Sequence, residues 1–255
     1  MRLLTRSLIT VSIVASALPA FADDHTFTGN VGLFSQYIFR GLTQTNEKPA
    51  LQGGFDYAHK SGLYAGIWGS NVSWISDGAQ STGAGSVSAS LELDTYVGYK
   101  NSFAGDWSYD VGYLRYNYPG SYPSGFTKPD TDELYGQLGW KWITLKYSHS
   151  ISNKTFGIPS SKNTYYLDLT AAIPLSDTIT LTLHGGRQKY KGSNAGTSND
   201  VLSYTDYKVE VAKVFAKDWT VALGATDTNA KDSAYTVLGK NIGDNQAYVF
   251  LKKTF

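Results

Sequence analysis

Residues 87–100, VSASLELDTYVGYK, split into two faces when read in steps of two. Val87, Ala89, Leu91, Leu93, Val97 and Tyr99 fall on one face with Thr95, and Ser88, Ser90, Glu92, Asp94, Tyr96, Gly98 and Lys100 on the other. Side chains alternate across a β-strand, so the segment reads as a strand with one apolar side and one side carrying three charges. Its fourteen residues exceed the about 5 to 6 usual in globular strands. A long strand, apolar on one side and wet on the other, suits the wall of a barrel that meets lipid outside and water inside.

The same pattern recurs along the chain. Strands are predicted over 26–40, 50–59, 63–74, 87–100, 107–117, 132–140, 142–152, 164–173, 178–189, 203–215, 219–228 and 246–255. Their connections alternate in length. Short ones lie at 59–62, 101–106, around Lys141, at 174–178 and 216–218; long, Gly/Ser/Asn-rich ones lie at 41–49, 75–86, 118–131, 153–163, 190–202 and 229–245. Short turns at one end and long loops at the other are the signature of a transmembrane barrel, and an even strand count brings both termini to the short-turn side. Trp107, Trp140, Trp142 and Trp219 adjoin the short turns, where amphipathic rings favour a lipid–water boundary, while Trp68 and Trp74 fall late in the third strand.

Composition sets the address. Met1, Arg2 and Arg6 precede the apolar run LITVSIVASAL and then Ala20-Phe21-Ala22, which reads as an export leader over residues 1–22, cleaved before Asp23. The remaining chain has 20 basic and 21 acidic side chains, a balance that suggests neither a nucleic-acid partner nor a polybasic membrane-surface protein. No apolar stretch after residue 22 approaches the about 20 residues of a membrane-spanning helix, so any crossing is by strands. With no cysteine, thiolate metal sites and thiol catalysis are excluded. The nineteen Tyr, eleven Phe and six Trp, at a mean hydropathy of −0.25, fit a wall with apolar outside and polar inside.

The stretch NVGLFSQYIFRGLTQTNEKPALQGGFDYAHKSGLYAGIWGSNVSW, followed by SLELDTYVGYK, resembles the opening of the TorF family of outer-membrane porins. The resemblance is carried by Tyr37–Gly41 (YIFRG), Pro49–Gly54 (PALQGG), Ser61–Trp68 (SGLYAGIW) and Glu92–Asp94 (ELD), and is looser but continuous to Phe255. It implies a proteobacterial outer-membrane barrel. The closing QAYVFLKKTF, with Ala247, Val249 and Leu251 sharing parity with Phe255, resembles the terminal assembly signal of such barrels, interrupted by Lys253.

In the register set by the apolar faces, Arg40, Asp56, Glu92, Asp94, Glu133, Lys141, Lys146, Asp168, Asp206, Lys208 and Glu210 are predicted to line the lumen. On the lipid side an Arg or Lys costs about 2–4 kcal/mol at the bilayer midplane, which favours the inward placement. Arg40, in FRGLTQ at the start of the first long loop, is either the positive charge of a constriction or the partner of a neighbouring carboxylate. Acidic residues outnumber basic ones in this set by seven to four, which predicts a mild preference for cations. The histidines are His25, His59, His149 and His184, and only His59 has a same-face serine close by, Ser61, at a short turn. Barrel lipases would carry such a pair at the other end, so no enzyme is expected. Asp130, Asp132 and Glu133, and Asn199 with Asp200, lack EF-hand spacing, and the histidines lack zinc spacing, so neither metal nor cofactor is expected.

The expectation is one domain over residues 23–255, an all-β, transmembrane, antiparallel up-and-down barrel of about twelve strands. It is exported through the periplasm and inserted by the barrel assembly machinery among outer-membrane lipids. It acts as a channel for passive diffusion of small polar solutes or ions. The competing reading is a non-conducting barrel with a filled lumen, serving adhesion or envelope structure.

Overall fold

Twelve long strands pair antiparallel, each with its sequence neighbours, and the last pairs with the first to close a barrel. They are β1 His25–Phe34, β2 Ala50–His59, β3 Leu63–Asn71, β4 Leu91–Phe103, β5 Trp107–Asn117 and β6 Thr131–Trp140. The others are β7 Ile143–Ser150, β8 Tyr165–Pro174, β9 Ile179–Lys189, β10 Tyr204–Phe215, β11 Trp219–Thr228 and β12 Gln246–Thr254. The computed structural model describes residues 24–255, so the leader expected over residues 1–22 lies outside the described residues. At the seam Leu33 faces Leu251, and Phe255 donates its N–H to the Gly29 carbonyl at 2.8 Å. Closure leaves no strand edge unpaired, which is what a sheet needs in hydrocarbon.

The faces follow the sequence alternation. Leu33, Leu51, Ile67, Val97, Leu169, Leu223 and Leu251 are exposed on the outside, where lipid would cover them. Trp107, Trp140 and Trp142 stand exposed at the short-turn end, with Trp107 and Trp140 at 6.3 Å between ring centres. Lys253, the interruption in the terminal pattern, is held at 2.8 Å by Asp218 of the last short turn and lies over the Trp219 ring. No helix of the described residues is long and apolar enough to cross a membrane.

Inside the wall, tyrosines lie over glycines of neighbouring strands. Register pairs Tyr64 with Gly98 and Gly66 with Tyr96, so the Y-x-G triplets of β3 and β4 cover each other reciprocally. Tyr135 covers Gly112 and Tyr248 covers Gly224 in the same way. A Cβ built on any of these glycines would run into the tyrosine. Flat rings over bare backbone supply the packing that glycine lacks, and they fix the register of each pair.

Three strand ends at the long-loop end fall three or more residues from the sequence expectation, and at the short-turn end the fourth strand runs on to Phe103 instead of stopping at residue 100. The first strand stops at Phe34 instead of residue 40, because the apolar YIF that follows belongs to a hairpin, Ile38–Phe39 with Leu42–Thr43, turned inward. The third stops at Asn71, and Trp74 begins helix α1, Trp74–Thr82. Ser73 Oγ donates to Asp77 in its first turn at 2.6 Å, and Gly83 ends it at φ 67°. The fourth starts at Leu91: Val87 and Ala89 are buried under the loops, although Leu91 and Leu93 of the same parity face outward. Trp68 and Trp74 accordingly pack inside, against Tyr37 and Tyr118, and not in an interfacial girdle.

Candidate functional site

The inward hairpin reaches across the lumen. Arg40 and Gly41 form its two-residue turn with φ 47° and 79°, the positive pair that a tight type I′ turn requires. A Cβ at Gly41 would fall 2.5 Å from Thr228 and 2.6 Å from Asp206, so the tip is pressed onto β10 and β11 and admits only glycine. On its other flanks Tyr37 donates to Glu92 on β4 at 2.8 Å, and Phe39 packs edge-on against Tyr116 of β5 at 5.6 Å. Helix α1 docks on the outer side of this loop, with the Ser73 and Trp74 N–H groups both donating to the Gln44 carbonyl.

Arg40 sits at the centre. Its Nη2 donates to Glu133 Oε2 at 2.7 Å, and its Nη1 to Glu133 Oε1 at 3.1 Å and to Gln188 Oε1 at 2.9 Å. The guanidinium also lies 4.4 Å from the Tyr166 ring centre and 4.8 Å from that of Phe39. The two charged side chains are 7 % and 2 % exposed, so the pair is dry and must satisfy itself. Of the two roles open to Arg40 in the sequence, the geometry shows the pairing one.

Toward the short-turn end the lumen is lined by half-buried carboxylates that accept from tyrosines. Tyr96 donates to Asp56 at 2.5 Å, Tyr64 to Asp110 at 2.5 Å and Tyr248 to Glu210 at 2.6 Å. His184 lies between two acids, Nε2 at 2.9 Å from Asp206 and Nδ1 at 3.4 Å from Asp168, with Thr170 and Tyr166 completing its contacts. Lys146 Nζ is 4.0 Å from the Tyr135 ring centre, and Lys208 is half-buried beside His184 in register.

Arg40 thus stands on the hairpin tip, and Asp56, Glu92, Asp94, Glu133, Lys146, Asp168, Asp206, Lys208 and Glu210 on the inward parity of the wall. Lys141 does not. It is exposed in the turn between β6 and β7 with φ 53°, over the Trp140 ring and 3.9 Å from Asp106. The alternation stops at Trp140, so parity assigns no face to the next residue. Asp110, His184, Lys100 and Lys252 also have the inward parity and join the lumen set. Counting them, eight carboxylates face five Lys or Arg side chains and His184 across the lumen.

The other sequence candidates resolve locally. His59 Nδ1 meets Ser61 Oγ at 2.8 Å and accepts the Ser61 N–H at 3.2 Å, a staple within one short turn. The acidic loop residues diverge: Glu133 turns inward, Asp132 takes Arg115 at 2.8 Å, and Asp130 takes Lys128 at 2.7 Å. Lys189 and Ser203 donate to Asp200 and hold its carboxyl below the ordinary aspartate range. Among the described residues no group of three or more His, Asp or Glu converges as metal ligands would.

Residues 20–255 match the model of Gcw_chp, described as a bacterial protein of unknown function. No curated protein matches the sequence. Among solved structures, the chain is similar to the KdgM porin, with 9 % identity, 89 % of this chain and 99 % of that one covered, and a TM-score of 0.54. It is similar to the NanC porin at 11 % identity, covering 90 % and 99 %, with a TM-score of 0.52. It is also similar to an outer membrane channel from Pseudomonas putida F1 at 14 % identity, covering 96 % and 100 %, with a TM-score of 0.54. At these identities the likeness is one of fold.

Proposed function

The chain belongs to the Gcw_chp family, and we propose that it is an outer-membrane channel for passive diffusion of small polar solutes or ions, narrowed by its own first loop. The observation that carries the reading is the division of the wall. Outside, the strands present an apolar band; inside, they present charges and hydroxyls along their whole length, from Glu92 at one end to Lys252 at the other. A barrel that only had to be filled could use apolar side chains there at lower desolvation cost. The sequence resemblance of residues 30–74 to TorF porins supports the same reading, as does the leader read over residues 1–22. Phe255, closing the seam beside Gly29, suits the role of terminal assembly signal.

The excess of acidic over basic side chains in the lumen favours cations and neutral solutes. A KdgM porin structure contains a disordered oligogalacturonate; such a polyanion would be repelled by this lumen. The test is conductance of the refolded protein in planar bilayers, where small single-channel steps with a reversal potential on the cation side are expected. That preference should weaken as salt rises and the Debye length falls below about 10 Å.

A second reading has its own observation. Around the hairpin, Glu92, Glu133, Gln188 and Asp206 are each 1–2 % exposed, which is the packing of a filled barrel. A correctly folded, heat-modifiable protein that stays electrically silent establishes this reading and removes the first.

A further inference from the structure

The level closed by the hairpin holds three carboxyls and one guanidinium. Glu92, Asp94 and Glu133 share it with Arg40, and the guanidinium is committed to Glu133 in a two-point contact. Glu92 accepts from the neutral hydroxyl of Tyr37. Asp94, 7 % exposed, has its Oδ1 buried with no hydrogen-bond partner, in the field of both neighbouring glutamates. Lys146 is engaged elsewhere, over Tyr135.

One step further along the same wall the arrangement repeats. Asp56 accepts from the Tyr96 hydroxyl at Oδ1 and leaves Oδ2 buried without a partner. Asp94 and Tyr96 are successive inward residues of β4, and Asp56 is joined in register to Tyr96 through Gly66. The two carboxyls therefore stand next to one tyrosine, Tyr96, whose ring covers Gly66 of the strand between theirs. A buried carboxylate oxygen without a donor is costly, and a positive charge brought in from solution removes that cost.

We propose that Asp94 and Asp56 form a two-station binding site for a single positive charge, an alkali ion or the ammonium head of a small organic solute. Two carboxylates on separate strands fall short of the six to eight oxygens that calcium gathers, and no larger cluster converges among the described residues. A singly charged, partly hydrated guest fits this sparse set. The proposal deepens the channel reading by naming the class of permeant, and it can be tested without conduction.

Crystals of the refolded protein soaked in thallous ion, a potassium surrogate with strong anomalous scattering, are expected to show density against Asp94 Oδ1 and Asp56 Oδ2. Asp94→Asn should remove the first peak and Asp56→Asn the second, each variant remaining heat-modifiable. Displacement of thallium by excess methylammonium assigns the site to ammonium heads, and its persistence assigns it to free alkali ions. Folded wild-type protein with no thallium at either oxygen overturns the proposal. Thallium bound in an electrically silent barrel leaves the site standing while the channel reading falls; conduction without bound thallium does the reverse.

Discussion

Arg40 Nη2 stands 2.7 Å from Glu133 Oε2, in a pair that ties the loop leaving the first wall strand to the sixth. Removing one partner strands the other charge in a dry interior, a loss of about 3–5 kcal/mol where both are buried. Arg40→Ala is therefore expected to lower the unfolding free energy by that amount in urea, and to free the hairpin, so that single-channel steps grow. Arg40→Met combined with Glu133→Leu should recover most of the stability, because no charge is left unpaired. If Arg40→Ala is neutral in both measurements, the pair does not hold the loop.

Register can be tested from the lipid side. Leu223, 64 % exposed, lies midway along β11, whereas Phe103 lies at the short-turn end of β4. Leu223→Arg should destabilise the inserted barrel by about 2–4 kcal/mol and Phe103→Arg by about 0–1, following depth in the bilayer. Equal costs in a reversible lipid-vesicle folding assay would place one of them off the lipid face.

The tyrosine-over-glycine pairs make a packing prediction. A Cβ at Gly98 meets the Tyr64 ring, while one at Gly136, on the outer face of β6, meets nothing within 4 Å. Gly98→Ala should cost about 1–3 kcal/mol by overpacking. Gly136→Ala should be neutral or slightly stabilising, since alanine restricts the unfolded chain. Urea midpoints of the two variants compare them directly, and a neutral Gly98→Ala would show that Tyr64 can move aside.

Which of this is legible in the sequence depends on what alternation can encode. Parity reports the face of a residue inside a strand, and on that basis Asp56, Asp168 and Glu210 are assigned inward from the amino-acid order alone; the same rule, applied throughout, reaches Asp110 and His184. It is silent beyond strand ends, which is why the inward assignment of Lys141 fails and why Val87 and Ala89, alternating in phase with Leu91, are not part of the ladder. The inward hairpin is hidden for a related reason: Tyr37, Ile38 and Phe39 continue the apolar character of β1, and only the RG turn after them marks the reversal. A pairing signal lies in the sequence beside the alternation. The triplets Tyr64-Ala65-Gly66 and Tyr96-Val97-Gly98 can cover each other only in one antiparallel register, the one observed.

Lys146 and Lys141 separate a lumen charge from a surface charge within six residues. Lys146 is inward on β7 against the Tyr135 ring, whereas Lys141 is half exposed in the preceding turn beside Asp106. In a lumen where acids already outnumber bases, deleting the inward cation should strengthen the negative field along the path, and the low dielectric of a narrow bore limits screening of that change. Lys146→Gln is thus expected to move the reversal potential further toward cations at about 0.1 M salt. Lys141→Gln should leave it unchanged, because a charge at the exposed turn is screened within about 10 Å at that ionic strength. Bilayer recordings under a salt gradient read both variants. Equal shifts would mean that the turn lies in the conduction path, and no shift from Lys146→Gln would mean that ions do not pass along the β6–β7 wall.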